Sequence, residues 1–496
     1  MTPFRTARPT ATATTALAVC AALATLVAAA PAPAAPLVPT TPLVPTTPVA
    51  GTTPLVPAAR QDGPGPLPAV TPRAETATLY DDEQGGNTNA DDPAIWRNPV
   101  APDDSLVIAT AKEGGLRVYG LDARLVQSLP APAAPGPDDA PGRFNNVDLV
   151  HGLRLSPGGA TDLAVTSDRG HDRLRIHRID PSRPGGPLTD VTDPAAPRVF
   201  SADQDEVNEQ ATAYGLATWT DRRSGRSYAL ASRRNRTSVA LLELLPTRSG
   251  TVTYRKVRSL DLPSAFRLPD GTSWTPCGEP GELPQVEGMV VDPADGTLYA
   301  GQEDVGIWRM PADLRGKPVL VDKVREYGVP GTYDEESEEC APGEDPGFGG
   351  SRISADVEGL TLLPERNGDR YLLASSQGDD TFAAYARRTD HEKEAGSENR
   401  AGRGHGALPR YAGGFRVTAA SATLDGSEVC DGAAVLNAPL GSRYPGGLLV
   451  VQDGSATPAQ DGREATGFKF VDLRKVRGAL GLTGAGGKTG SERVTE

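Results

Sequence analysis

The 496-residue sequence predicts an all-β fold, a six-bladed β-propeller. Three observations carry that expectation. Between about Thr76 and Val476, short apolar runs bounded by Gly, Asp, Asn and Pro far outnumber helical periods. A unit of apolar strand, polar turn and second alternating strand recurs six times. Successive copies start roughly 56 to 77 residues apart, a spacing that suits four-stranded blades with loops.

The copies are Leu106–Leu121, Asp162–Ile179, Tyr228–Leu244, Leu298–Met310, Tyr371–Tyr385 and Leu448–Val471. In a propeller their polar turns gather around one mouth of the central channel. Lys112, Arg169, Arg234, Glu303 and Asp379 lie in those turns and are expected to converge. The alternative is a sandwich array whose turn charges are simply solvated. Polar or Gly-rich insertions at Ser264–Leu283, Glu326–Ser351 and Thr389–Arg410 read as surface loops.

The flanks have a different composition. Arg5 and Arg8 precede an Ala-, Leu- and Val-rich run that ends in small residues at Ala32 and Ala34, so residues 1–34 read as a secretory signal peptide. Residues 35–75 contain a repeated P-L-V-P-T-T-P and read as a disordered, extended linker. The propeller domain is expected over 76–476 and a disordered Gly-rich tail over 477–496.

The net charge is -14, and about -16 once the two leader arginines are removed. A secreted protein of that charge repels nucleic acid and anionic membranes, so neither is an expected partner. Its clustered acids call for a hard, oxygen-loving cation, which outside the cell is calcium. Past the leader stand Cys277, Cys340 and Cys430. Cys277 and Cys340 lie in Pro/Gly-rich insertions and are the favoured disulfide pair, although spacing alone leaves connectivity open.

Several acidic motifs are tightly flanked by apolar residues. They are Asp91-Asp92-Pro93-Ala94-Ile95-Trp96, Glu287-Gly288-Met289, Asp356-Val357-Glu358-Gly359-Leu360 and Gln452-Asp453-Gly454. An acid-Gly pair ahead of a strand turns the backbone sharply and aims a carboxylate into a channel. Any one of them alone reads more readily as a surface turn.

The set, in order and together with N-N-V-D (Asn145–Asp148) and L-L-A-S-S-Q-G (Leu372–Gly378), resembles the β-propeller phytases from about Asp91 to Leu473. The resemblance implies several calcium ions and phosphate release from phytate, taken as its calcium complex. It implies that Tyr214, Glu287, Glu303, Asp356 and Glu358 wall the catalytic metal, and that Asp92 holds a calcium that ties the N-terminal strand into the ring. Asp425 and Asp453 on the last blade are likewise implied as calcium ligands. Lys112, Arg169 and Arg234 are implied as phosphate-gripping cations, and Glu303 and Asp431 as the groups that position or deprotonate the attacking, calcium-oriented water. A monomer is expected.

Three departures bear on these roles. Glu113 follows Lys112 where family members commonly carry a second basic residue, Arg234 stands where Lys is common, and Cys430 precedes Asp431 where a small polar residue is usual. Other catalytic plans fit worse. His151, His171, His177, His391 and His405 show no zinc spacing, and no histidine-acid, cysteine-phosphatase or G-x-S-x-G signature occurs. A non-catalytic calcium-binding propeller and a propeller hydrolase of another ester are the remaining alternatives.

Overall fold

In the computed structural model the described residues are 66–82, 85–155, 159–337, 339–387, 408–457, 459 and 463–482. The expected signal peptide, most of the linker, most of the third insertion and the tail beyond Leu482 lie outside them. The rest forms six sheets of four or five strands, one per blade, and two separate hairpins.

The six sequence repeats are the two middle strands of each blade. Their composition follows from their place: both faces of a blade are covered by neighbouring blades. A middle strand such as Leu106–Thr110 (LVIAT) is therefore buried at every residue, and so are Thr297–Gln302 and Leu448–Asp453. The outer strands, such as Leu125–Leu129 and Val252–Asp261, meet solvent, and the second of these is largely polar. Phe468, Phe470, Tyr299 and Tyr385 are among the largest buried side chains, and truncating such an aromatic to Ala costs about 3–5 kcal/mol.

The innermost strands are Pro93–Trp96, Phe144–Leu155, Ala213–Thr220, Val286–Asp292, Val357–Pro364 and Ala433–Leu436. Each packs on the next and the sixth packs on the first, which closes the ring. The N-terminal segment provides the seam. Ala69–Val70 adds a parallel fifth strand to the fifth blade along Arg410–Val417. Ala74–Glu75 pairs antiparallel with Ala465–Asp472 and completes the sixth blade. Pairing thus begins at Ala69, inside the stretch assigned to the linker, because these residues borrow their hydrogen bonds from the far end of the chain. At the other end Leu473–Ala479 is a helix capped by Asp472, which runs past the expected boundary at 476.

Two of the insertions fold rather than loop. Phe266–Arg267 pairs with Ser273–Trp274, and Gly331–Asp334 pairs with Glu339–Pro342. A Cys277–Cys340 disulfide joins them, with Cα atoms 6.1 Å apart, and Cys430 is buried as a free thiol. No helix among the described residues is long and apolar enough to cross a membrane.

Candidate active site

A repeated local device builds the channel wall. Four of the inner strands open with a register shift next to their first residue: between Phe144 and Val147, Ala213 and Leu216, Val286 and Met289, and Val357 and Leu360. The shifted residues include Asn145, Tyr214, Glu287 and Glu358. A bulge re-aims side chains in this way. In three of these blades the following residue is glycine, for a steric reason. A Cβ on Gly215 would lie 2.1 Å from the Glu287 carbonyl oxygen, and one on Gly288 would lie 1.6 Å from that of Glu358. Gly359 meets Asp431 O at 2.9 Å and Gly432 meets Asp91 O at 2.6 Å in the same sense. Each glycine therefore admits the backbone of the next blade, while the residue before it faces the channel.

Glu287, Glu303 and Glu358 come together there. Each offers an oxygen within 4.8 Å of the others, and they are 5, 7 and 6 % exposed. Glu287 is fully engaged, since Asn145 Nδ2 donates to its Oε1 at 2.7 Å and the Tyr214 hydroxyl donates to its Oε2. Gln285 Nε2 donates to Glu303 Oε2 at 2.9 Å. Glu303 Oε1 and Glu358 Oε2 are buried and accept no hydrogen bond. Two unscreened carboxylates at this separation repel by roughly 3 kcal/mol at an effective dielectric of about 20. Burial first, then the neighbouring acids, accordingly raise the carboxyls of Glu303 and Glu358 well above their ordinary value. Burial and Glu287 likewise raise the Tyr214 phenol. Either protons or a cation must sit here. A hard divalent ion binding oxygen fits the two orphan carboxylate oxygens.

Asp356 stands beside this group and shares a hydrogen bond with Asp304. Burial and Asp356 push Asp304 up to about 7. Asp431 lies on the opposite flank. Gln377 Nε2 donates to its Oδ1 at 2.6 Å, and Lys112 Nζ sits 3.4 Å from its Oδ2. Burial raises Asp431 to about 6 even though Lys112 pulls it down. Lys112 itself has φ 46°, a left-handed conformation that a non-glycine residue rarely keeps without tight surroundings.

The basic residues line the first three blades. The Arg169 guanidinium lies 5.9 Å from the centre of the Tyr214 ring, and its Nε is buried without a hydrogen-bond partner. Burial, then Arg234 and Arg143, lower Arg169 to about 10. Thr212 ties the two turns together: its hydroxyl donates to Arg169 O at 2.7 Å and its carbonyl accepts from Arg234 N at 2.9 Å. The mouth is thus polarised, with Lys112, Arg169 and Arg234 on blades one to three and Glu287, Glu303, Asp356, Glu358 and Asp431 on blades four to six.

The Phytase family profile matches residues 63–268 and 282–484 of this chain. The chain belongs to the phytase family. A 3-phytase of Bacillus subtilis (strain 168) is 30 % identical over 418 residues, covering 83 % of this chain and 85 % of the relative. Among solved structures, the major Malassezia sympodialis allergen Mala s 1 covers 78 % of this chain and 93 % of its own at 13 % identity and a TM-score of 0.36, a likeness too distant to carry an argument.

Within this phytase-family fold not every expected residue joins the mouth. Asp379 turns to Arg325, 2.5 Å from Nη1, and Gln377 reaches Asp431 instead. Asp92 accepts from Val147 N at 3.0 Å and so ties blade one to blade two, whereas Asp91 occupies the position equivalent to Glu287. One oxygen of Asp91 is buried without a partner, and burial raises its carboxyl well above the usual range. Asp425 and Asp453 surround the buried Lys469 ammonium together with Glu75 (Nζ to Glu75 2.6 Å, to Asp453 3.0 Å). A metal at that point would require Lys469 to withdraw. His171 packs on Asp168 in the turn after Arg169, and His177 sits in a blade strand.

Proposed function

We propose that this chain is a secreted, monomeric, calcium-dependent phytase that releases phosphate from the calcium complex of phytate. One observation carries the reading: three buried glutamates, two of them with an orphan oxygen, share one channel mouth with Lys112, Arg169 and Arg234. A binding scaffold gains nothing by holding both charge signs in separate blades, whereas a metal-assisted phosphoryl site needs both. Neither nucleic acid nor membrane is a partner of so acidic a chain.

Glu287, Glu303, Glu358 and the neighbouring Asp356 would hold calcium, which would supply Lewis-acid polarisation of the phosphate and neutralise a highly anionic substrate. Several ions fit a substrate with several phosphates. Arg169 and Arg234 present guanidinium donors, and Lys112 a point charge, to the phosphoryl oxygens. Glu303 Oε1, with no other partner, orients the attacking water. Asp431, raised to about 6, accepts that water's proton near neutrality. The new P–O bond forms as the ester P–O bond breaks, and the leaving inositol oxygen takes a proton. No covalent phosphoenzyme forms.

The test is inorganic phosphate release from phytate by the purified chain, with calcium titrated against a chelator. Release that follows calcium supports the reading. Folded protein that releases nothing at any calcium level overturns it in favour of a binding propeller or another ester.

A further inference from the structure

On the face opposite the mouth, blades three and four leave a groove between them. Trp219 stands near the end of the inner strand Ala213–Thr220, whose start carries Tyr214 to the mouth. At about 3.3 Å per residue it lies roughly 15 Å from that opening. Trp219 pairs across the strands with Tyr228, and the two rings stack with centroids 5.3 Å apart and 25° between their planes. Both are half-buried, and both line a cavity of about 850 Å³. Gly296, in the facing turn of blade four, has φ 74°, and a Cβ there would lie 3.2 Å from Trp219 Cζ2. Glycine lets that turn pass the indole edge without filling the groove.

Three of the four tryptophans donate their indole N–H inside the protein: Trp96 to Asp162 Oδ2 at 2.8 Å, Trp274 to Val329 O at 2.7 Å and Trp308 to Gln302 Oε1 at 2.9 Å. Among the described residues Trp219 Nε1 and the Tyr228 hydroxyl have no such partner, and neither is sealed from solvent. Because the rings already stack on each other, no slot remains between them for a flat aromatic guest. A pyranose fits from outside. Its axial C–H bonds carry slight positive charge and pack on the negative face of a π-system, while its hydroxyls accept from the indole N–H.

The rim carries charge opposite to that of the whole chain. Arg223, Arg258, Arg315 and Lys317 line the groove against three aspartates. Asp221 accepts Arg223 N at 3.0 Å and the Ser224 hydroxyl at 2.6 Å, Asp313 accepts Arg315 N at 3.0 Å, and Asp295 pairs with Arg387. These acids are engaged in their own turns or with a residue outside the groove. Arg223 and Lys317 are exposed and, among the described residues, make no ion pair. Free cations beside an aromatic platform suit a sugar that bears carboxylates.

We propose that this groove is a second ligand site, on the face away from the phosphatase mouth, for an acidic oligosaccharide: a uronic-acid ring packs on Trp219 and Tyr228, and carboxylates of the chain meet Arg223 and Lys317. The protein can then rest on an acidic polysaccharide with its channel mouth open to solvent.

The experiment titrates hexagalacturonate, and separately the neutral cellohexaose, into the purified chain by calorimetry in sodium buffer without added calcium. Hexagalacturonate is expected to bind at least tenfold more tightly than cellohexaose. Trp219→Ala and the double variant Arg223→Gln/Lys317→Gln should each weaken it about tenfold. Phosphate release from phytate in calcium, and the melting temperature of the double variant, should match the unmodified chain. Trp219 also packs against the core of blades three and four. Should Trp219→Ala not fold, the double variant, which changes exposed positions alone, decides. No binding of hexagalacturonate, or equal affinity for both oligosaccharides, overturns the proposal. Binding that neither variant weakens overturns it too, because the polyanion then sits elsewhere, as at the basic mouth.

Discussion

Lys112 and Asp431 meet where the sixth blade closes on the first, Nζ 3.4 Å from Oδ2, although 319 residues separate them. The contact joins the turn of the first blade to the start of the last inner strand, and it sets the proton affinity of Asp431. Burial lifts that carboxyl to about 6, and Lys112 is the largest influence holding it down. In Lys112→Gln the carboxyl should climb. The acid limb of the kcat/KM profile is then expected to move to higher pH, with a raised KM from the lost phosphate contact. A limb that stays in place would remove Asp431 as the base.

Glu303→Gln separates chemistry from architecture. It removes an orphan buried carboxylate, so kcat should fall by on the order of 10²-fold or more. In chelator, the same change relieves repulsion from Glu287, Asp356 and Asp304 and should raise the melting temperature. Calcium should then stabilise the variant less than the parent. Equal activity would take Glu303 out of the mechanism.

Calcium and pH should act on stability together. Without metal, Glu303, Glu358 and Asp91 have raised carboxyls, and Asp431 and Asp304 reach about 6 and about 7. Each then stays protonated in the native chain at a pH where the unfolded chain has already ionised. The native state binds more protons, so stability falls as pH rises. In chelator the melting temperature should drop from about pH 5 to 8. With calcium the carboxylates are paired, and the gap between the two curves should widen with pH. A constant gap, or a chelated protein that gains stability with pH, would show that these acids do not hold the ion. Phosphate release that survives chelation while stability falls would exclude a metal-assisted step.

Gly288→Ala tests how the channel wall is made. Its Cβ would fall 1.6 Å from the Glu358 carbonyl oxygen, which belongs to backbone and cannot swing away. We expect a loss of about 3 kcal/mol or more, as for severe overpacking, and collapse of activity through displacement of Glu287 and Glu358. Calorimetry and phosphate release read the two effects. Gly152→Ala, at an exposed position with nothing within 4 Å, is the control for backbone strain at φ 69°.

How far the sequence could be read depended on where each residue's partners lie. The middle strands were visible because burial on both faces leaves continuous apolar runs such as LVIAT. The acid-Gly pairs were visible for a local reason as well, since a bulge and a close approach both leave a mark within two residues. Ala69–Val70 and Ala74–Glu75 were not, because two residues in a Pro/Thr-rich context have no periodicity and their pairing partners lie near Phe415 and Phe470. Asp91 was overlooked beside Asp92, although its register with Glu287 was available by aligning the blade starts. Gln285 and Gln377 carry no pattern of their own, and their meaning appears only with Glu303 and Asp431 beside them.

The seam has a consequence for how the molecule is made. Lys469 and Glu75 are 394 residues apart and meet in the last blade. The strand synthesised first is thus among the last to find its place. Until the C-terminal blade exists, the sixth sheet lacks both its inner strands and the edge on which Ala74–Glu75 docks. Folding that proceeds from the first blade onward yields an open arc, which becomes a ring in one late step of high loop-closure cost. A nascent chain awaiting that step exposes the polar mouth of an unfinished channel together with an unpaired strand edge. The closing contacts, not the blades themselves, therefore set when the protein becomes resistant to proteolysis.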